Sequence, residues 1–200
     1  MISSGRLPLD EQVVALRSAL SRNDRLQMVL DRIAGMGLPG WYLTGGAVFQ
    51  TVWNVVTGRE ADAGIKDYDI FYFDDRDLSW EAEDEVIRAA ARLFEDQPVE
   101  VEIRNEARVH LWYEQKFGEP CVPYDSTEAA IDSFAATTCA VGIRSDATGR
   151  WRVYAPHGLA DVFNLVLRPN PGPGRQQAYV SKSARWQRQW PELTVLTWPD

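Results

Sequence analysis

The stretch from Trp41 to Asp75 constrains the fold of this chain more than any other part of the sequence, because it joins two strand signals through a glycine turn and a helix pattern. Leu43-Thr44-Gly45-Gly46 predicts a short apolar strand that turns into a helix at paired glycines. Asp67 and Asp69 begin the next apolar strand, and alternate side chains of a strand point to the same face. The two carboxylates should therefore share one face, with Cα atoms roughly 6.5–7 Å apart at about 3.3 Å per residue.

Two carboxylates at this separation predict a cation site. Their charges repel, so the pKa of one should rise unless a positive charge lies between them. A divalent metal removes that repulsion, and carboxylate oxygens select magnesium or manganese. The alternative is a solvated strand end, because charged residues are mostly exposed.

The paired glycines Gly45 and Gly46 have two interpretations. Glycine lets a ligand approach the backbone closely, and the unpaired amides at a helix N-terminus favour phosphate. A strand-to-helix turn also uses glycine for its geometry alone. No third glycine follows at the offset of the dinucleotide-binding fingerprint, so that motif is excluded.

A second acidic strand follows at 99–103, where valine and isoleucine alternate with glutamate. The alternation places Glu100 and Glu102 on one face and the apolar residues on the other. The acidic face either meets water or supplies a third carboxylate to a metal cluster. Glu102 is the preferred candidate and Glu100 is the alternative.

Asn105 is expected to cap a helix that carries Arg108 and His110. Both side chains are candidates for binding phosphate or base near the acidic strand. The alternatives are a surface ion pair for the arginine and a structural role for the histidine.

The rest of the chain predicts scaffolding around this core. Residues 1–38 should form a helical hairpin packed on a domain at 39–168, and 169–200 should hold a Pro/Gly-rich linker and a tryptophan-rich helix. We expect that last helix to dock on the domain or to mediate contacts between chains. The predicted fold class is α+β, a mixed sheet flanked by helices.

Composition narrows the class of protein. The net charge of −8 argues against a protein that mainly binds a nucleic-acid backbone, which needs a basic surface. The sequence has no run of eighteen apolar residues, so we expect no membrane span. The first residues lack the apolar core of a signal peptide. Cys121 and Cys139 are too few for a disulfide framework or a zinc site. We therefore expect a cytoplasmic protein with two free thiols.

The order strand, Gly-Gly, helix, Asp-x-Asp strand, helix, glutamate strand resembles the DNA polymerase β-type nucleotidyltransferase superfamily. A closer likeness to a bacterial family of small nucleotidyltransferase-like proteins is carried by 42–46, 66–69, 105–111, 155–161 and 167–170. Three features differ from the expected pattern. Twenty residues separate Gly46 from Asp67, the third acid is a glutamate, and Glu106 occupies a position where the resemblance leads us to expect glutamine.

The resemblance implies a nucleotidyltransferase-like domain at 39–168 that uses Mg²⁺ or Mn²⁺. Asp67, Asp69 and Glu102 would be the catalytic and metal-binding residues, with Glu102 as ligand or base. An acceptor hydroxyl would attack the α-phosphate of a nucleoside triphosphate and release pyrophosphate. The residues that it implies for nucleotide binding are Thr44, Gly45, Gly46, Lys66, Asn105 and Arg108.

Two functions from different classes are compatible with this pattern. The first is an enzyme that transfers a nucleoside monophosphate to a hydroxyl of a small molecule or a protein; nucleic acid and membrane are not expected as partners. The second is a non-catalytic nucleotide- or protein-binding module, antitoxin-like or regulatory. A metal-dependent phosphohydrolase is a weaker third reading, because His110 and His157 are the two histidines of the chain.

Overall fold

The structure is a computed structural model that describes residues 4–146 and 148–199. The described strands are β1 (Tyr42–Thr44), β2 (Asp67–Tyr72), β3 (Glu100–Asn105), β4 (Gly142–Ser145), β5 (Trp151–Tyr154), β6 (Val166–Leu167) and β7 (Thr194–Val195). The described helices are α1 (Leu9–Leu20), α2 (Asp24–Ala34), α3 (Gly46–Val56), α4 (Trp80–Leu93), α5 (Tyr113–Phe117), α6 (Thr127–Asp132), α7 (Ala160–Phe163) and α8 (Arg175–Gln189). Short 3-10 helices lie at Ser4–Arg6, Glu106–Leu111 and Thr137–Cys139.

A five-stranded mixed sheet in the order β3-β2-β1-β4-β5 forms the centre of the molecule. The β2–β3 pair is parallel, and the other neighbours in this sheet are antiparallel. A parallel pair of β6 and β7 forms a second, two-stranded sheet. The α+β class predicted from the sequence is confirmed, with a helical hairpin before the sheet and a helix after it.

Alternation along β2 divides the sheet into a core face and a second face. Tyr68, Ile70 and Tyr72 are buried in the main core. The opposite face carries Asp67, Asp69 and Phe71. Phe71 packs against a small cluster there, so an apolar layer covers the far end of this face but the aspartate end stays only partly buried.

The N-terminal hairpin is fixed to α3 by a buried asparagine. The Asn23 side chain accepts a hydrogen bond from the Leu26 amide at 3.0 Å and donates one to Thr51 Oγ1 at 2.9 Å. The first of these bonds caps α2, and the second ties the start of α2 to the middle of α3.

The C-terminal helix α8 packs along α3 through aromatic rings. Trp186 lies with its ring centroid 5.1 Å from that of Phe49, and Trp190 lies 5.3 Å from Trp53. Trp190 Nε1 also donates to Asn54 Oδ1 at 3.0 Å. The helix is therefore docked on the body of the molecule, which is one of the two outcomes expected from the sequence.

One predicted element differs from that observed. A 3-10 helix and the short α5 replace the single helix expected after Asn105. Two local features shape the chain before β4 and β6. Thr137–Cys139 forms a 3-10 helix, held by the bond from Thr138 Oγ1 to the Val166 carbonyl at 2.8 Å. Leu165 adopts a positive φ of 56° between the end of α7 and β6.

Within residues 4–146 and 148–199, every helix is too short or too polar to cross a membrane. Cys121 and Cys139 are free thiols, as predicted.

Candidate functional site

The turn at Gly45 places the start of α3 directly beside a carboxylate. Gly45 has φ 69° and precedes α3, whose first turn receives no side-chain cap. A Cβ atom at this position would overlap Asp69 Oδ2, so the carboxylate lies against the turn. Thr44 Oγ1 donates to the Val141 carbonyl at 2.7 Å and fixes the end of β1. The predicted glycine turn and the predicted aspartate pair are therefore adjacent.

Gly45→Ala should destabilise the fold and displace Asp69. The positive φ costs about 1–3 kcal/mol for a residue with a side chain, and the overlap adds to this cost. Gly58→Ala is the matched control, because Gly58 has φ 73° and open space around its Cβ position. Urea denaturation should show a larger loss for Gly45→Ala. Equal losses would mean that Asp69 does not depend on this close approach.

Parallel pairing of β2 and β3 brings four acidic residues to one end of one sheet face. Asp67 pairs with Glu100 and Asp69 with Glu102 in the register. Neighbouring strands lie about 4.8 Å apart, and residues in register point to the same face. Asp67 and Asp69 are partly buried, and both glutamates are exposed. The arrangement places Glu102 beside the aspartate pair, as the sequence predicted for a third carboxylate.

The carboxylate of Asp69 is electrostatically unbalanced. Burial, followed by the negative charges of Asp67 and Glu102, raises its pKa to about 7. Lys182 and Arg104 oppose this shift without cancelling it. An added positive charge at this point would therefore be stabilised by the surrounding acids.

The residues fit a divalent cation in their chemistry, although a metal centre is not preassembled. In the described part of the chain, no group of three or more His, Cys, Asp or Glu side chains is gathered closely enough to hold a metal ion. The donors that Asp67, Asp69 and Glu102 offer are all carboxylate oxygens, which suit magnesium or manganese. Burial and the neighbouring acids raise the pKa of Asp69, so a cation here would stabilise its charged form. The metal-binding role of these residues remains a prediction.

The structure does not bring Asn105 and Arg108 together with the carboxylates. Asn105 lies on the core side of β3, where its side chain bonds the backbone of Asp74 at 2.8 and 3.0 Å. Arg108 is 7% exposed and donates to the Leu78 carbonyl at 2.9 Å and to the buried Glu83 carboxylate. Both side chains have their polar groups occupied by the fold, and the predicted nucleotide contacts would require those bonds to break.

Two other candidates have different positions. Lys66 is exposed immediately before the aspartate pair, as a phosphate-binding lysine would need to be. His110 lies on the same 3-10 helix as Arg108, and its Nδ1 atom is buried without a hydrogen-bond partner among the described residues.

The site contains three charged residues to which the sequence analysis assigned no role. Arg104 lies on the acidic face, in register with Phe71, and the alternation that identified Glu102 would also have placed it there. Glu106 is buried at the start of the 3-10 helix that follows β3. Lys182 comes from α8, and no local pattern in the sequence connects that helix with the aspartate pair.

Glu106 should make stability depend on pH in a way that glutamine would not. Burial, followed by the charge of Glu83, raises its pKa to about 8 from an ordinary 4.5. The folded state therefore holds a proton that the unfolded state has lost, and this contribution to stability falls as pH rises from about 4.5 to about 8. The slope is up to about 1.4 kcal/mol per pH unit. Glu106→Gln should remove it in urea titrations between pH 5 and 9, so a variant with the wild-type slope would contradict the assignment.

Comparisons with known proteins support one family. A family model described as nucleotidyltransferase matches residues 31–195. A solved NMR structure described as revealing a CCA-adding enzyme head domain has a TM-score of 0.74 at 24% sequence identity, covering 94% of this chain and 96% of that chain. The second comparison shows a shared fold. No curated protein matches the chain.

Proposed function

This chain belongs to the nucleotidyltransferase family, and we propose that it transfers a nucleoside monophosphate from a nucleoside triphosphate to a hydroxyl of a small molecule or a protein. The observation that supports this most directly is the aspartate pair held against the glycine turn. Asp69 Oδ2 lies where a Gly45 side chain would be, directly beside the start of α3. A site for negative phosphate and a site for a cation are thus neighbours.

The start of α3 is the proposed phosphate site. Its first turn has no side-chain cap, so the amides of Gly46 and Ala47 face no capping side chain. Such amides, together with the helix dipole, favour phosphate groups. The exposed Lys66 precedes the aspartate pair in the chain, and we assign it to the same nucleotide site. Thr44 is buried with its hydroxyl bonded to the Val141 carbonyl, so we assign it to the support of the turn that carries this site.

Asp67 and Asp69, with Glu102, are the proposed ligands of Mg²⁺ or Mn²⁺. When bound, such an ion neutralises phosphate charge and orients the reacting oxygens. The protein residues then hold the nucleotide by its phosphates and exclude other orientations of the α-phosphate.

Transfer requires an acceptor oxygen at the α-phosphate. A bond forms between this oxygen and the α-phosphorus, the bond from that phosphorus to the β-bridging oxygen breaks, and pyrophosphate leaves. Glu102 is exposed beside Asp69 and is the proposed base for the acceptor proton, with Glu100 as its neighbour on the same face. The net charge of −8 favours an acceptor other than nucleic acid.

One observation favours a binding module without turnover as the second function. The three carboxylates are not preassembled as a metal centre in the described residues. A protein that binds nucleotide or a protein partner for regulation would tolerate this arrangement.

Nucleotide binding and transfer separate these functions. Melting temperature is measured with Mg²⁺ and ATP, GTP, CTP or UTP, followed by incubation with α-labelled nucleotide and a fractionated metabolite and protein mixture. A metal-dependent rise with one nucleotide and label transfer would support the enzyme, since ligands of the native state stabilise it by mass action. A rise without transfer would support the binding module. No rise with any nucleotide would contradict the enzyme and the nucleotide-binding form of the module, and would leave only binding of a protein partner.

A further inference from the structure

The parallel packing of α8 on α3 places Lys182 beside the glycine turn. The ring contacts advance together by one helical turn, from Trp186 on Phe49 to Trp190 on Trp53, so the two helices run in the same direction. Lys182 on α8 precedes Trp186 by four residues, and Gly45 at the start of α3 precedes Phe49 by four residues. Each therefore lies one helical turn, about 6 Å, toward the N-terminus from the Trp186–Phe49 contact. The C-terminal helix therefore presents a lysine at the open end of α3.

Two observations locate Lys182 at the same point. The first is the packing of Trp186, one turn after Lys182, on Phe49, one turn after Gly45. The second is the action of Lys182 on the buried Cys139 thiol, whose pKa burial raises. Cys139 precedes the carbonyl of Val141, to which Thr44 bonds, so it belongs to the surroundings of the same turn. Both observations agree with a position of Lys182 beside the glycine turn.

The Lys182 side chain is available to an anionic ligand. It is exposed, and no salt bridge within 4 Å joins it to a carboxylate in the part of the chain that the structure describes. Other arginines of the described chain are paired, for example Arg59 with Glu192 at 3.1 Å and Arg168 with Asp161 at 2.6 Å. Lys182 thus retains an unpaired charge beside the proposed phosphate site.

We propose that Lys182 binds the terminal phosphates of the nucleoside triphosphate, and that the C-terminal helix thereby completes the nucleotide site. This inference rests on the proposed function, because it concerns the same ligand. Lys182 stands one turn before the Trp186–Phe49 contact, at the start of α3 whose amides are the proposed phosphate site, whereas Arg104 lies on the sheet face with the acids. The position beyond the glycine turn favours the β- and γ-phosphates over the α-phosphate.

The test compares triphosphate with monophosphate binding in Lys182→Met. Calorimetry with Mg²⁺ and the nucleotide that most stabilises the wild type should show about a 10-fold or larger loss of triphosphate affinity, because a charge-assisted contact is removed. The affinity for the corresponding monophosphate should change less than about 2-fold. Lys182→Arg should restore most of the triphosphate affinity. Arg188→Met is the matched control, since it removes a positive charge from another exposed position of α8.

The outcomes distinguish this inference from the proposed function. Wild-type triphosphate affinity in Lys182→Met, or equal losses for triphosphate and monophosphate, would overturn the assignment of Lys182 and leave the proposed function standing. Absence of metal-dependent triphosphate binding in the wild type would overturn the proposed function and the inference with it. Melting temperatures without ligand should be equal for the wild type and Lys182→Met, because the exposed side chain makes no salt bridge that the structure records.

Discussion

The double substitution Asp67→Asn, Asp69→Asn should abolish the metal-dependent stabilisation by nucleotide and reduce nucleotidyl transfer by at least about 100-fold. Loss of a residue that merely supports a metal ligand already costs about 10- to 100-fold, and the ligands themselves should cost no less. The fold should survive, because Asp69 is a carboxylate whose charge is opposed by burial and by Asp67 and Glu102. Without metal, the variant should melt at the same temperature as the wild type or higher at neutral pH.

The control for this prediction is Asp10→Asn, Glu11→Gln, which removes two exposed acidic charges from the first turn of α1. It should retain the full rise in melting temperature with Mg²⁺ and nucleotide. If the Asp67/Asp69 variant also retained the full rise, this acidic face would not be the metal site.

Arg108→Leu should cost about 3–5 kcal/mol of folding stability, which is the usual loss when one partner of a buried ion pair is removed. Glu83 is 2% exposed, and its carboxylate would keep only the Asn105 amide, at 2.9 Å, among the partners it has in the structure. The Leu78 carbonyl would also lose its arginine donor. Urea denaturation of the full chain measures the effect.

The matched control is Arg88→Leu, which removes an exposed arginine paired with Asp84 one turn away at 2.7 Å. A surface pair of this kind contributes about 0.3–0.5 kcal/mol, so this variant should remain near the wild type. An Arg108→Leu variant that was equally stable but lost nucleotide affinity would support the nucleotide-binding role expected from the sequence and contradict the structural role.

Local alternation made the acidic face predictable. Asp67 and Asp69 are two residues apart on one strand, as are Glu100 and Glu102 on the next. Because successive side chains of a strand point to opposite faces, this spacing places each pair on one side of its strand. The glycine turn was predictable for a similar reason, since a strand ending in paired glycines before an amphipathic pattern has few alternatives. The parallel register that sets Asp69 beside Glu102 is a tertiary feature. It could be predicted only from the order of the strands and helices, because no local pattern specifies which residues pair.

Arg108 and Lys182 show what local sequence patterns leave open. Arg108 follows the acidic strand closely, but Asn105 lies on the core side and carries the chain away from the carboxylates. Proximity in sequence was therefore misleading. Lys182 is far along the chain, and the packing of Trp186 on Phe49 determines its position. Side-chain packing between distant helices leaves no periodic signal from which a contact of this kind can be predicted.

The strand order also predicts that these acids oppose self-association through the edge of the sheet. β3 lies at one margin of the five-stranded sheet, and an uncovered margin is a template on which another chain can add a strand. Glu100 and Glu102 place like charges along that margin, so two copies that approach through it repel each other. Substitutions that neutralise these glutamates should raise the tendency of the protein to self-associate. Light scattering measures this tendency, and activity assays of such variants should include it.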